Sequence, residues 1–183
     1  MPTPRQPAPA LKVPMIDGGQ FDLGSANPER WTLVCFYRGL HCPICTTYLG
    51  EFEKQVPAFA ERGVECIAIS SDPQERAQSM ADKVSEKVGS SQLRFGYGLP
   101  LPVAKEWGLH ISAGRGKTSV GIEEPALFAE PGVYLIRADG TVYYMSVQSM
   151  PFVRPNFREL VGAIDFVIEK DYPARGEYTG PLE

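Results

Sequence analysis

Hydrophobic residues in this chain follow two rhythms. Trp31-Thr32-Leu33-Val34-Cys35-Phe36-Tyr37 and Val64-Glu65-Cys66-Ile67-Ala68-Ile69 are nearly continuous apolar runs, the pattern of strands buried on both faces. Between them, residues 46–61 read as an amphipathic helix that Gly63 stops. Leu11–Val13 and Phe21–Leu23 flank Asp17-Gly18-Gly19 and predict an N-terminal hairpin. Asp72-Pro73-Gln74-Glu75 predicts a helix start, with Asp72 as cap, Pro73 at the first helical position and Glu75 in the capping box. That helix is expected to reach Val88. Leu93–Tyr97 predicts a third strand and Val103–Trp107 a short helix. Residues 110–130 lack clear periodicity and read as a long loop, a kind of segment often used as a lid or partner surface. Val133–Ile136 and Val142–Met145 flank Ala138-Asp139-Gly140-Thr141, a hairpin signal. Phe157, Leu160, Val161, Ile164, Val167 and Ile168 stripe a last helix over about residues 156–170.

This order predicts an α/β fold: a central mixed β-sheet with helices on both faces and an N-terminal hairpin extension. The expected domain spans residues 11–170, between a flexible Pro-rich tail (1–10) and a C-terminal tail (171–183). With 183 residues, 43% of them hydrophobic, one core is enough. The net charge of −4 gives no electrostatic case for nucleic acid or an anionic membrane. No apolar run approaches the roughly 18 residues of a membrane span. The first ten residues lack the apolar centre of a signal peptide, so the expected location is cytoplasmic.

The candidate chemistry is Cys42-Pro43-Ile44-Cys45, set between the first buried strand and its helix. A helix start offers unpaired N–H groups and the positive end of the macrodipole, which favour a thiolate over a thiol. Two cysteines three apart there can close and reopen a disulfide, the thioredoxin-like redox signature. A zinc site would need about four ligands, and no second C-x-x-C exists. Cys35 and Cys66 read as small buried hydrophobes within strands. A bond between those two would require neighbouring strands in suitable geometry. Gly114-Arg115-Gly116-Lys117-Thr118 lacks the leading glycine of a phosphate-binding loop, since Ile111 stands there.

Three segments carry a family resemblance: Phe36 through Cys45, Val64 through Asp72, and Tyr134 through Val142 with Pro151-Phe152-Val153-Arg154 after it. On these the chain resembles the thioredoxin superfamily and, within it, peroxiredoxins of the AhpC/TSA type. The peroxiredoxin motif Pro-x-x-x-Thr-x-x-Cys places its cysteine on Cys45, its threonine on Cys42 and its proline on Arg38. Cysteine and arginine therefore match, while proline and threonine do not.

The resemblance implies a thioredoxin-like fold and an antioxidant, thiol-dependent peroxidase that reduces hydroperoxides through a Cys42/Cys45 cycle. An external thioredoxin- or glutaredoxin-like thiol would reset the pair, with no metal or organic cofactor. It assigns Arg154 to the peroxide site; Arg38, close to the helix start, is a second candidate for thiolate and peroxide contacts. His41 could support the thiolate. Pro131, before the strand Val133–Ile136, would be the cis-proline that faces the pair and docks substrate. Which sulfur attacks stays open: thioredoxin logic selects Cys42, peroxiredoxin alignment Cys45. A protein-disulfide oxidoreductase without peroxidase activity and a non-catalytic binding module are the other readings. A homodimer could use a sheet edge or the 110–130 segment.

Overall fold

The computed structural model describes residues 1–183. Its central sheet has five strands. In chain order these are β3 (Trp31–Phe36), β4 (Val64–Ile69), β5 (Arg94–Gly96), β8 (Gly132–Arg137) and β9 (Val142–Val147). Their spatial order is β5-β4-β3-β8-β9, with β3, β4 and β5 parallel and β8 and β9 antiparallel to their neighbours. This is the mixed sheet that the pattern predicts.

The unbroken apolar run of β3 has a simple cause: the strand lies at the sheet's centre and both its faces are covered. Leu33, Cys35 and Tyr37 face a core shared with α1 (Pro43–Glu61), α2 (Gln74–Val88) and α4 (Phe157–Lys170). Val34 and Phe36 face a second core with Trp107, Leu109 and the side chains of α3 (Leu101–Glu106) and the N-terminal hairpin, β1 (Lys12–Pro14) with β2 (Gln20–Asp22). Alternation with period two sends successive residues to opposite layers. Cys35 and Cys66 lie on adjacent strands but in different registers, Cys35 opposite Ala68 and Cys66 opposite Leu33. Both are buried free thiols; burial pushes Cys35 up to about 12 and Cys66 above its usual range.

Two segments depart from the sequence reading. Residues 110–130 are not an irregular loop. They form a two-stranded ribbon, β6 (Ile111–Ala113) paired with β7 (Leu127–Ala129) and extended by the Lys117–Glu123 bridge. Its strands are three residues each, too short to show a period in sequence. The N-terminal segment, expected as a flexible tail, is bonded to the β8–β9 turn. The Arg5 and Ala8 N–H groups donate to Val142 and Gly140, and Val142 N–H donates to Gln6. Arg5 Nε also donates to Ala174 O, tying the two ends of the chain together.

A buried acid holds the far side of the helical core. Glu53 of α1 is 1% exposed and accepts Ser90 Oγ (2.7 Å), Gln92 N–H (2.7 Å) and Leu93 N–H (2.6 Å). Removing it strands two N–H groups beneath the α2–β5 turn. Glu53→Ala is expected to lower stability by about 3 kcal/mol in urea unfolding; a loss within experimental error would show that the turn holds without it.

Candidate active site

β3 ends at Phe36, and residues 37–41 carry the chain from the middle of the sheet to the start of α1. That crossing is tight. Gly39 has φ +140, and a Cβ there would lie 2.7 Å from Asp72 Oδ2. The same oxygen accepts the Leu40 N–H at 2.7 Å. Asp72, expected as a helix cap, therefore pins the active-site loop instead. α2 starts at Gln74, with Pro73 in the N-cap position and no side-chain cap. The carboxylate is buried, where the Leu40 N–H is a donor within reach, and an unpaired buried carboxylate would be costly.

Cys42 occupies the N-cap of α1, and its Sγ accepts the Cys45 N–H at 3.3 Å. It does what a capping serine hydroxyl does, with sulfur. Cys45 lies in the first turn, fully buried, and Arg154 Nη2 donates to its Sγ at 3.1 Å. Arg154 is itself fixed. Its Nε donates to Pro151 O (2.8 Å) and its guanidinium lies 4.7 Å from the Tyr48 ring centre. The Tyr48 hydroxyl in turn donates to Pro155 O (2.6 Å). Arg154 Nη1 has no partner.

The two sulfurs share one charge. Hydrogen bonds from the Cys45 thiol and N–H and from Arg38 pull the Cys42 thiol from 9.0 down to about 6, against burial. Burial drives Cys45 well above the usual thiol range, and its bond to Cys42 adds to this because it favours the protonated form. The two thiols are thus pushed in opposite directions, Cys42 down and Cys45 up.

The remaining sequence candidates divide. Arg38 belongs to the site: its Nε is 2.9 Å from Glu130 Oε2, an Nη is 3.8 Å from Glu124 Oε1, and its guanidinium lies 4.8 Å from the Phe128 ring centre. His41 does not support the thiolate as a cation. It is fully buried beside Phe128, both ring nitrogens lack partners, and burial with Arg38 and Arg76 nearby pulls its pKa from 6.5 to about 4. The peptide bond preceding Pro131 is trans, which corrects the cis expectation. The Pro131 carbonyl accepts the Gln148 N–H and continues the β8–β9 ladder, so pairing in the sheet accounts for its conformation. Asp72, Glu124, Phe128 and Glu130 escape a sequence reading of the site. The one available cue was acids standing among apolar neighbours, as in Phe128-Ala129-Glu130.

A family model described as the AhpC/TSA family matches residues 4–145, more than half of the chain. The chain belongs to the AhpC/TSA family. A probable 1-Cys peroxiredoxin of Syntrichia ruralis is 36% identical over 50 residues, 27% of this chain. That match spans 23% of that protein's length. Among solved structures, a cysteine-to-serine mutant of peroxiredoxin 6 from Arenicola marina superposes with a TM-score of 0.76 at 19% identity, covering 92% of this chain and 74% of that one. The mitochondrial 2-Cys peroxiredoxin of Plasmodium falciparum gives 0.71 at 21% identity, covering 93% and 96%. The yeast mitochondrial 1-Cys peroxiredoxin gives 0.74 at 18%, covering 93% and 78%. These likenesses establish the thioredoxin-like fold of this AhpC/TSA chain.

The split titration has a consequence for stability. Between about pH 6 and 9, Cys42 is ionised in the native state and protonated in the unfolded chain, whose thiols titrate near 9.0. The unfolded state binds more protons there, so the reduced protein gains stability as pH rises through the lower part of that window. Approaching pH 9 the sign reverses, because Cys45, Cys35 and Cys66 ionise only on unfolding. Urea unfolding in excess reductant should show a maximum below pH 9, and Cys42→Ser should remove the rise that leads to it. A flat profile for the native pair would contradict the assigned thiolate.

Proposed function

We propose that this protein is a thiol-dependent antioxidant peroxidase that reduces hydroperoxides through a Cys42/Cys45 dithiol–disulfide cycle, with Cys42 as the attacking sulfur. One observation carries the reading. The Cys42 sulfur receives the donors of the helix start, while the Cys45 sulfur is held against the Arg154 guanidinium at 3.1 Å. One sulfur is thus ready to attack and the other is held in reserve to resolve.

In the first step the Cys42 thiolate attacks the distal peroxide oxygen. The O–O bond breaks, the alkoxide takes up a proton and leaves as alcohol, and Cys42 becomes a sulfenic acid. Cys45 then loses its proton, its anion favoured by Arg154, and attacks the Cys42 sulfur. The sulfenic oxygen leaves as water and the disulfide closes. Two thiols and one hydroperoxide give one disulfide, one alcohol and one water. Arg154 Nη1, without a protein partner, remains as a donor for a substrate oxygen.

Reopening the disulfide needs two electrons from outside, for which a thioredoxin- or glutaredoxin-like dithiol is the fitting donor. The yeast neighbour is described as resolved through glutathione/thioredoxin systems. A reducing, cytoplasmic setting suits this cycle, and no helix is long and apolar enough to cross a membrane. A homodimer through β9 or the β6–β7 ribbon is compatible with it. The thioredoxin-like polarity of the pair, Cys42 acidic and Cys45 not, also suits a protein-disulfide oxidoreductase, and peroxide turnover separates the two.

The deciding measurement is intact mass during reaction of the reduced protein with hydrogen peroxide. Wild type should lose two hydrogens rapidly. Cys45→Ser should retain a sulfenic or over-oxidised Cys42, and Cys42→Ser should react no faster than a free thiol. Arg154→Met should slow disulfide closure by about a hundredfold, so that the sulfenic acid becomes visible. An adduct surviving on Cys45 in Cys42→Ser would reassign the attacking sulfur. Slow oxidation of wild type would favour disulfide exchange.

A further inference from the structure

The β6–β7 ribbon contributes no sulfur, yet it delivers a buried acid to the edge of the site. Glu130 follows β7 directly and is 3% exposed. One of its oxygens accepts the Ser112 hydroxyl at 2.6 Å, from the paired strand β6, and the other lies 2.9 Å from Arg38 Nε. Its backbone N–H is tied as well, donating to His110 O at 2.7 Å. The carboxylate therefore cannot follow Arg38; Arg38 has to follow it. Phe128 packs against the same guanidinium and Glu124 stands behind it.

Arg38 needs this support. It lies in the connection between β3 and α1, outside any regular element, and free arginine side chains carry large rotamer entropy. Paired at 2.9 Å with a buried, anchored carboxylate, and with the Phe128 ring against it, the guanidinium has its position restricted.

We propose that Glu130 is a positioning residue for Cys42, acting through Arg38: it orients the guanidinium toward the sulfur and sets how much of its charge the thiolate feels. The proposal rests on Cys42 being the resting thiolate, as in the cycle above. The charged groups around that sulfur are Arg38, Arg154 and the Cys45 thiol, and Glu124 and Glu130 stand against Arg38. Asp72 and Arg76, from the β4–α2 side, pair with each other at 3.8 Å. Glu130 differs from Glu124 in its closer approach to Arg38, 2.9 Å against 3.8 Å. The ribbon is then a part of the redox machinery that carries no redox group.

The test is the thiolate absorbance of the reduced protein followed against pH, which needs no peroxidase activity. Glu130→Ala should release Arg38 and raise the Cys42 titration by about half a unit, or a threefold loss of thiolate at the wild-type midpoint. Glu130→Gln keeps the side chain's shape and its contact with Ser112 while removing a negative charge, so its titration should stay in place or fall. In an Arg38→Met background, Glu130→Ala should no longer raise it, and that non-additivity separates positioning from general loosening of the fold. A rise in Glu130→Gln, or an equal rise with and without Arg38, would overturn the proposal, as would no change in Glu130→Ala. If the titrations follow this order but peroxide turnover is absent, the positioning role stands and the peroxidase reading fails. If Cys42→Ser leaves the acidic titration intact, the reading of Cys42 as thiolate fails first.

Discussion

A single negative charge shared by Cys42 and Cys45 lies where water hardly reaches, at 1% and 0% exposure. An isolated anion in such a place would cost several kcal/mol, and the site exists because donors converge on it. The helix start supplies an N–H, Arg154 and Arg38 supply cations, and the Cys45 thiol supplies a proton. Each of these groups must in turn be held, since a buried cation without a partner is as costly as the anion. Glu130 and Glu124 answer Arg38; Pro151 and the Tyr48 ring answer Arg154. The arrangement is a chain of compensations extending outward from one sulfur.

The fold satisfies this by bringing four segments to the same end of the sheet. β3 is central and its last residue leads straight to Arg38 and the cysteine pair. Its parallel neighbour β4 ends at the turn holding Asp72, whose carboxylate fixes the loop at Leu40. On the other side, the antiparallel pair β8 and β9 returns the chain to residues 151–154, so that Arg154 meets Cys45 across 109 residues. The ribbon ends at Glu130, just before β8. Parallel and antiparallel neighbours of one strand thus present their loops at one edge.

The charge balance also limits how acidic the thiol can become. Two cations alone would lower it further, but a more stable thiolate is a weaker nucleophile. The acids beside Arg38 offset its charge where it is buried. His41 shows the other side of the same environment: buried beside two arginines, it stays neutral and serves packing against Phe128.

Local patterns alone determined the strands, the helices and the redox pair. Continuous apolar runs identified β3 and β4 because both of their faces are buried, and the C-x-x-C between strand and helix placed two sulfurs at a helix start. The peroxiredoxin-like Pro151-x-x-Arg154 segment pointed to the arginine that meets Cys45. Periodicity failed where elements are three residues long, which is why the ribbon read as a loop. It also failed where a polar side chain acts at a distance: Asp72 looked like a helix cap and Glu130 like an ordinary acid. Only the tertiary structure decided that Asp72 pins the active-site loop, that Pro131 is trans, and that His41 is buried. The physical reason is common to all three. Ionisation and hydrogen bonding depend on burial and on partners tens of residues away, which a linear sequence does not display.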